Sequence, residues 1–179
     1  MWILSYFFES SEDRLNKFRV ILAKHNAEMK KIQNSLVAEI GLFKKSLEND
    51  DKETIIEKAR KYSLKEQMYE AYMIISDSST ELLNRWKQFD SKDKPPLVIE
   101  TIEAMQSRMK LIEPNEMYEW IKKHQLSTEI EYKEFEFINS TNILEFLRGF
   151  ISKHKMNDNR NLLRLNKMFD ACPYLINRF

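Results

Sequence analysis

The chain has 179 residues, of which 42% are apolar and 32% are charged, and its formal net charge is +1. This length fits one domain, and the composition excludes a disordered chain and a global field that would attract nucleic acid. Only two glycines are present, Gly41 and Gly149, so neither a Rossmann fingerprint nor a P-loop can be built. The single cysteine, Cys172, excludes a disulfide framework and a zinc site made from a cysteine pair.

The first eight residues, MWILSYFF, form an apolar stretch that only Ser5 interrupts. They lack the basic region and the small-residue cleavage site of a signal peptide, and they are far shorter than the about 20 residues that span a bilayer. They also lack the lysine or arginine that an interfacial membrane helix carries on its polar face. An apolar arm is therefore predicted, which packs against the chain's own bundle or against a second protein through Trp2, Phe7 and Phe8.

A long helix is predicted from about residue 11 to residue 48, with Ser10 or Ser11 as its N-cap. Its apolar side chains and one histidine recur at steps of three and four: Leu15, Phe18, Leu22, His25, Met29, Ile32 and Leu36, then Ile40, Phe43 and Leu47. This spacing is the heptad seam of a coiled coil and predicts pairing with other long helices. On this seam, the histidine is either a polar core residue that fixes the register or a pH-sensitive contact.

Shorter helices are predicted after a polar break at residues 48–51. The first covers residues 52–60. The second starts at a capping box of Ser63 and Glu66, kinks at residues 76–80 and reaches residue 89. Four more are predicted: one after Pro96, one around Trp120, one from residue 140 or 141 to 155, and one over 158–169. Residues 128–138 alternate partly with period two, but a lone strand is unstable. An irregular or helical connector is therefore predicted there.

The fold class that these elements predict is all-α: a helical bundle with one long N-terminal coiled-coil-like helix and several shorter helices. The clearest linker is DSKDKPP, residues 90–96. It predicts an N-terminal lobe over residues 1–89, made of the apolar arm and the long helix, and a C-terminal helical lobe over residues 97–179. The same elements also fit one single domain.

Two copies of an Arg-x5-His spacing offer a candidate for chemistry, Arg19 with His25 and Arg148 with His154. This spacing resembles the Arg-x4–6-His motif of HEPN-type ribonucleases, which are all-helical. The resemblance implies a histidine for acid–base work and an arginine for the phosphate. On an ideal helix the first pair lies about 600° apart, so only the second copy, where Gly149 can relax the helix, is kept as a weak ribonuclease hypothesis.

The two C-terminal helices are basic and interleaved with aromatic residues, which can bind single-stranded nucleic acid through phosphate neutralisation and stacking. The residues that would do so are Arg148, Lys153, Lys155, Arg160, Arg164 and Lys167. The phenylalanines there also have the spacing of buried helix faces, so a solvated or protein-binding basic surface is the other interpretation. Nucleic-acid binding predicts an affinity that falls steeply with salt.

The sequence predicts a non-catalytic helical protein–protein interaction module, such as an adaptor or one subunit of a complex. It would self-associate or form a hetero-oligomer through the arm and the seam, with contacts from Trp2, Phe7, Phe8, Phe18, Leu22, His25, Met29, Ile32 and Leu36. Phe18→Asp or Leu22→Asp would then abolish association without unfolding the bundle. No catalytic residue, metal, cofactor, small-molecule substrate or membrane span is predicted, and the lone cysteine favours an intracellular location, cytoplasmic or nuclear.

Overall fold

The computed structural model describes residues 9–112, 115–124, 132–139, 141–156 and 159–169. Seven α-helices lie in these ranges: α1 (Ser11–Asn49), α2 (Lys52–Asn84), α3 (Trp86–Phe89), α4 (Pro96–Met109), α5 (Glu116–Lys123), α6 (Ile143–Lys153) and α7 (Asn159–Met168). A 3-10 turn, Lys110–Ile112, follows α4. No strand occurs in the described residues, so the prediction of an all-α bundle with a long N-terminal helix is confirmed.

A reciprocal cap starts α1 where the sequence predicts it. The Ser10 hydroxyl accepts a hydrogen bond from the backbone N–H of Asp13 at 3.1 Å. In return, the carboxylate of Asp13 accepts hydrogen bonds from the hydroxyl of Ser10 at 2.7 Å and from its backbone N–H at 3.4 Å. Each residue thus satisfies a backbone donor that a helix terminus leaves free. The resulting helix has 39 residues and is about 58 Å long at 1.5 Å per residue.

The predicted break and restart of the second helix near Ser63 are wrong, because α2 runs without interruption over 33 residues. Its start is instead capped by Asp51, whose carboxylate accepts the backbone N–H of Thr54 at 2.8 Å. Glu66 does not close a capping box with Ser63, since its carboxylate accepts the hydroxyl of Tyr62 at 3.0 Å and the ammonium group of Lys153.

The run Ser76–Thr80 also stays helical, although its residues are poor helix formers. Three of its hydroxyl groups make hydrogen bonds that leave the helix intact. Thr80 donates to the carbonyl of Ser76 at 2.9 Å, four residues back, and Ser76 donates to Asn26 of α1 at 2.7 Å. Ser79 is fully buried and donates to the sulfur of Met105 at 3.1 Å. Tertiary packing therefore overrides the local propensity.

The chain forms two compact units, each made of two separate stretches of sequence. The first comprises Met1–Gln33 and Gln67–Phe135. Its core is built on buried side chains from α1 to α5 and from the 3-10 turn: Phe18, Leu22, Ala71, Ile75, Leu82, Phe89, Val98, Ile102, Met105, Met109, Leu111, Ile112, Met117, Trp120 and Ile121. Pro96 begins α4 at its first position, as predicted. The predicted linker 90–96 lies inside this unit, and a hinge there stays a prediction.

The second unit comprises Asn34–Glu66 and Glu136–Phe179. An aromatic cluster forms the centre of its core, where the ring of Phe43 stacks on Tyr62 at a centroid distance of 5.8 Å. Phe150 contacts both rings edge-on, at 4.7 Å and 5.0 Å. Such pairs add about 0.5–1.5 kcal/mol beyond the burial of their area. Phe150 of α6 is therefore part of the packed core of this unit.

The stretch that alternates with period two is neither helix nor strand over residues 132–139. Two backbone contacts fix this part of the chain, each within one unit. The N–H of Lys133 donates to the carbonyl of Ser107 at 2.9 Å in the first unit. Arg60 donates to the carbonyl of Ile138 at 2.9 Å in the second. The prediction of an irregular connector is thus confirmed for these residues, and residues 128–131 lie outside the described ranges.

Lys155 lies just after the end of α6, at a position that glycine usually occupies. Lys155 has φ +52°, and the backbone N–H groups of Lys155 and Met156 donate to Ser152 and Ile151 at 3.2 Å and 3.0 Å. These are the two hydrogen bonds of a Schellman motif, which requires a left-handed residue at this position. A lysine pays a steric cost in that conformation, whereas a glycine does not.

We expect Lys155→Gly to raise the free energy of unfolding by about 1 kcal/mol, because it relieves this conformational cost. Urea denaturation of the wild type and the variant measures the difference. The matched control is Ser152→Gly, which removes an exposed side chain inside the same helix and should lower stability by about 0.5–1 kcal/mol. Equal destabilisation by both glycines would contradict the expectation.

Candidate interaction surface

The structure places the predicted seam largely in the chain's own core. Phe18, Leu22 and Leu36 are 0%, 7% and 8% exposed, and Met29 and Ile32 are half-buried. The ring of Phe18 lies 5.5 Å from Phe89 and 5.0 Å from Trp120 between ring centroids. In this conformation these buried side chains have no surface to offer to a partner. Trp2, Phe7 and Phe8 lie outside the described residues.

His25 is also part of the core of the first unit, with 7% of its surface exposed. Its Nε2 lies 2.9 Å from the carbonyl oxygen of Tyr72, so this nitrogen carries the proton and donates it. The imidazole ring also packs on the Tyr72 ring at a centroid distance of 4.7 Å. Burial lowers the pKa of His25, and the hydrogen bond to Tyr72 opposes that shift only in part. The residue therefore fits the interpretation of a neutral, polar core histidine.

Because the pKa of His25 is lowered in the folded state, protonation favours the unfolded chain. We expect the contribution of His25 to stability to be full well above the unfolded pKa of about 6.5 and to fall as the pH decreases through and below that value. His124 and His154, whose pKa values are also lowered by burial, add to the same trend. His25→Gln should make the slope shallower by up to about one proton, measured by urea denaturation at several pH values. An unchanged slope would contradict this.

A groove of about 740 Å³ lies on the surface of the first unit, between α1 and the segment where α2 meets α3. Its apolar lining includes Leu15 of α1, Leu83 of α2 and Trp86 of α3, all of them half-buried. Arg19 of α1 and Lys87 of α3 also line it, and both are exposed. We call this feature the cationic groove. The groove thus combines three apolar side chains with polar and charged ones, and aromatic residues and arginine are enriched at protein-binding surfaces.

The tryptophan of the groove is held rigidly. Its indole N–H donates to the hydroxyl of Ser11 at 3.1 Å. Its ring packs against Phe89 at 5.4 Å and against Phe18 at 5.9 Å between centroids. The surrounding backbone is fixed by Arg14, whose guanidinium binds both carboxylate oxygens of Asp90 at 2.8 Å and 2.7 Å. A preorganised aromatic side chain loses little conformational entropy when a partner binds it.

The charges of the groove are predominantly positive. Glu81 is the carboxylate in its lining, and Arg85 binds this carboxylate from the next turn of the chain. Within the described part of the chain, Arg19 and Lys87 form neither an ion pair nor a side-chain hydrogen bond. Two cations beside the apolar lining are thus left without a counter-charge from the groove.

The basic residues of the C-terminal helices are partly used inside the second unit. Arg164 donates to the backbone carbonyls of Leu47 and Asp50 at the C-terminal end of α1. Lys153 binds Glu66, and Arg148 donates to Asn166 at 3.4 Å. The exposed members of the set are Lys153, Lys155, Arg160 and Lys167. Nucleic-acid binding by this surface stays an alternative prediction, carried by four exposed cations of the six that the sequence offers.

The structure does not bring Arg148 and His154 to a common partner. The histidine is the C-cap of α6, and its Nε2 lies 3.2 Å from the hydroxyl of Tyr62 of α2. Burial, and then Lys44 and Lys153, lower the pKa of His154. The arginine instead contacts Asn166 of α7. The two groups therefore have different neighbours, which gives the ribonuclease hypothesis no support from their contacts.

Sequence reasoning missed the cationic groove, although it named two of its lining residues for other reasons. Leu15 belongs to the seam and Arg19 to the Arg-x5-His spacing. The signal that could have raised suspicion is Trp86-Lys87 close before the linker, with basic residues on both sides of the tryptophan. No local pattern, however, states that the first turns of α1 lie beside this segment.

Among the described residues, no group of three or more His, Cys, Asp or Glu side chains could hold a metal ion. None of the described helices is long and apolar enough to cross a membrane. No family model, curated protein or solved structure matches the chain. The chemistry and shape of the surface itself are therefore the basis for a functional proposal.

Proposed function

We propose that the protein is a non-catalytic helical interaction module that binds another protein chain through the cationic groove. The observation that supports this most is a rigid, half-buried Trp86 in a groove of about 740 Å³. Its lining also holds Arg19 and Lys87, which have no ion-pair partner among the described residues. Tryptophan and arginine are the residues that most often dominate the binding energy of protein interfaces. The proposal moves the contact surface from the buried seam to this groove.

The experiment that tests the proposal places a photo-crosslinking amino acid at Gln88, an exposed residue that lines the groove. The control places the same group at Lys30, which is exposed on α1 and is not part of the groove. We expect one discrete adduct from position 88 and none from position 30 when both proteins are irradiated in their native cells. Mass spectrometry then identifies the partner and the crosslinked segment.

Light scattering on the purified chain separates the two kinds of partner. A mass of twice 21.6 kDa, with the position-88 adduct formed by two copies, would identify self-association. A monomer with an adduct to another protein would identify a hetero-complex. No adduct at position 88, or equal adducts from both positions, would contradict the proposed function.

A further inference from the structure

We infer that the partner of the cationic groove is an acidic amphipathic segment, which inserts apolar side chains beside Trp86 and places carboxylates at Arg19 and Lys87. This inference rests on the proposed function and adds the chemistry of the partner to it. The occupant is one peptide segment of a protein, since the lining of the groove combines three apolar side chains with discrete charged groups. An amphipathic helix laid into a groove is a common way to satisfy both.

The apolar part of the argument comes from Leu15, Leu83 and Trp86. All three are half-buried, and the last two also pack against the core of the unit. Their exposed surface loses water only when a partner covers it, and the removal of apolar surface from water favours association. A partner that binds here therefore needs apolar anchors.

The electrostatic part of the argument is that the carboxylate in the groove is paired, whereas two of its cations are not paired among the described residues. Glu81 is satisfied by Arg85, whereas Arg19 and Lys87 have no anionic partner in the described part of the chain. A basic segment would meet two like charges in this groove, and an acidic segment would meet two opposite ones. Complementary charges at the edge of an interface raise the association rate and reject partners of the wrong sign.

The test uses two fluorescent 18-residue amphipathic peptides that share one face of leucine and tryptophan. One carries glutamates beside that face, and its twin carries lysines at the same positions. We expect the full chain to bind the acidic peptide with a Kd of about 10–100 µM and the basic twin at least about tenfold more weakly, measured by fluorescence anisotropy. The preference should shrink when the salt concentration rises from about 0.15 M to about 0.5 M.

Charge reversal in the groove supplies the decisive comparison. Arg19→Glu with Lys87→Glu should weaken the acidic peptide about tenfold and should favour the basic twin. The control reverses two exposed lysines elsewhere on the same unit, Lys30→Glu with Lys92→Glu, and changes the net charge equally. This control should leave both affinities within about twofold, and circular dichroism checks that both variants are folded.

Three outcomes would overturn the inference: no binding of either peptide, equal binding of both peptides, or equal weakening by the groove variant and the control. Equal binding of both peptides that still competes with the position-88 crosslink would leave the proposed function intact and remove only the acidic partner. Loss of peptide binding together with loss of the position-88 adduct would remove both.

Discussion

Phe18→Ala is expected to lower the free energy of unfolding by about 3–5 kcal/mol, the cost of deleting a large buried aromatic side chain. The residue is completely buried, and its ring contacts Trp86, Phe89 and Trp120 at centroid distances of 5.0–5.9 Å. A cavity would remain, because these three rings come from α3 and α5 and cannot all follow a shrinking side chain. Urea denaturation followed by circular dichroism measures the change.

Val20→Ala is the matched control, because Val20 is 57% exposed and lies two residues further along the same helix. It should change stability by less than about 0.5 kcal/mol. The comparison also decides between two roles for Phe18. As an anchor for a partner, Phe18 could be replaced without unfolding the bundle, whereas the structure makes its replacement destabilising. If both substitutions change the free energy of unfolding equally and only slightly, Phe18 is again a candidate for contact with a partner.

Arg164→Met is expected to cost about 2–3 kcal/mol, although arginine is usually a surface residue. Its guanidinium donates to the carbonyls of Leu47 and Asp50, which belong to the last turn of α1 and to the residue after it. Carbonyls at a helix C-terminus lack partners within the helix, and the helix dipole favours a cation there. Methionine keeps much of the length of the side chain and removes the charge and both donors.

The control for Arg164 is Lys167→Met, which removes an exposed positive charge from the same helix α7. It should change stability by less than about 0.5 kcal/mol. If both variants unfold at the same urea concentration, the contacts of Arg164 with α1 contribute nothing. The result also affects the test of nucleic-acid binding, since a charge reversal at Arg164 would damage the fold as well as the basic surface. Lys167 is the better probe for that test.

The Lys155→Gly and Arg164→Met variants test two cationic residues of the second unit with opposite expected effects on stability. Lys155 occupies a backbone position that a glycine would fill at lower conformational cost. Arg164 is required by the end of another helix. The predicted basic surface therefore contains residues that stabilise the fold, such as Arg164, and residues that do not, such as Lys155. Only their contacts in the structure distinguish the two kinds.

Much of the fold could be predicted because the information is local. The Ser10–Asp13 cap lies within four residues, and the seam repeats over three and four residues along α1. Pro96 marks the start of α4 through its fixed φ and its missing N–H. The sequence by itself thus determined the all-α class, the length of α1 and the irregular connector at 132–139.

The helix break predicted near Ser63 is wrong because the pattern behind it is local, whereas the contacts that decide it are not. A capping-box pattern shows that Ser63 and Glu66 could start a helix, but Glu66 gains more from Tyr62 and from Lys153, which is 87 residues away. Local propensities of a few tenths of a kcal/mol per residue cannot outweigh buried packing around Tyr62, which is 2% exposed. The continuity of α2 through Ser63 therefore depends on neighbours that are distant in sequence.

Only the tertiary structure decided what covers the seam and where a partner can bind. An apolar stripe states that a helix face is buried, but it does not state whether the chain itself or a second chain buries it. Here Phe18 is covered by Trp86, Phe89 and Trp120, between 68 and 102 residues further along the sequence. The same folding brings Arg19 and Lys87 to one groove and leaves both without a counter-charge there. Burial and charge pairing depend on which surfaces meet, and that is a property of the folded chain and not of any short stretch of it.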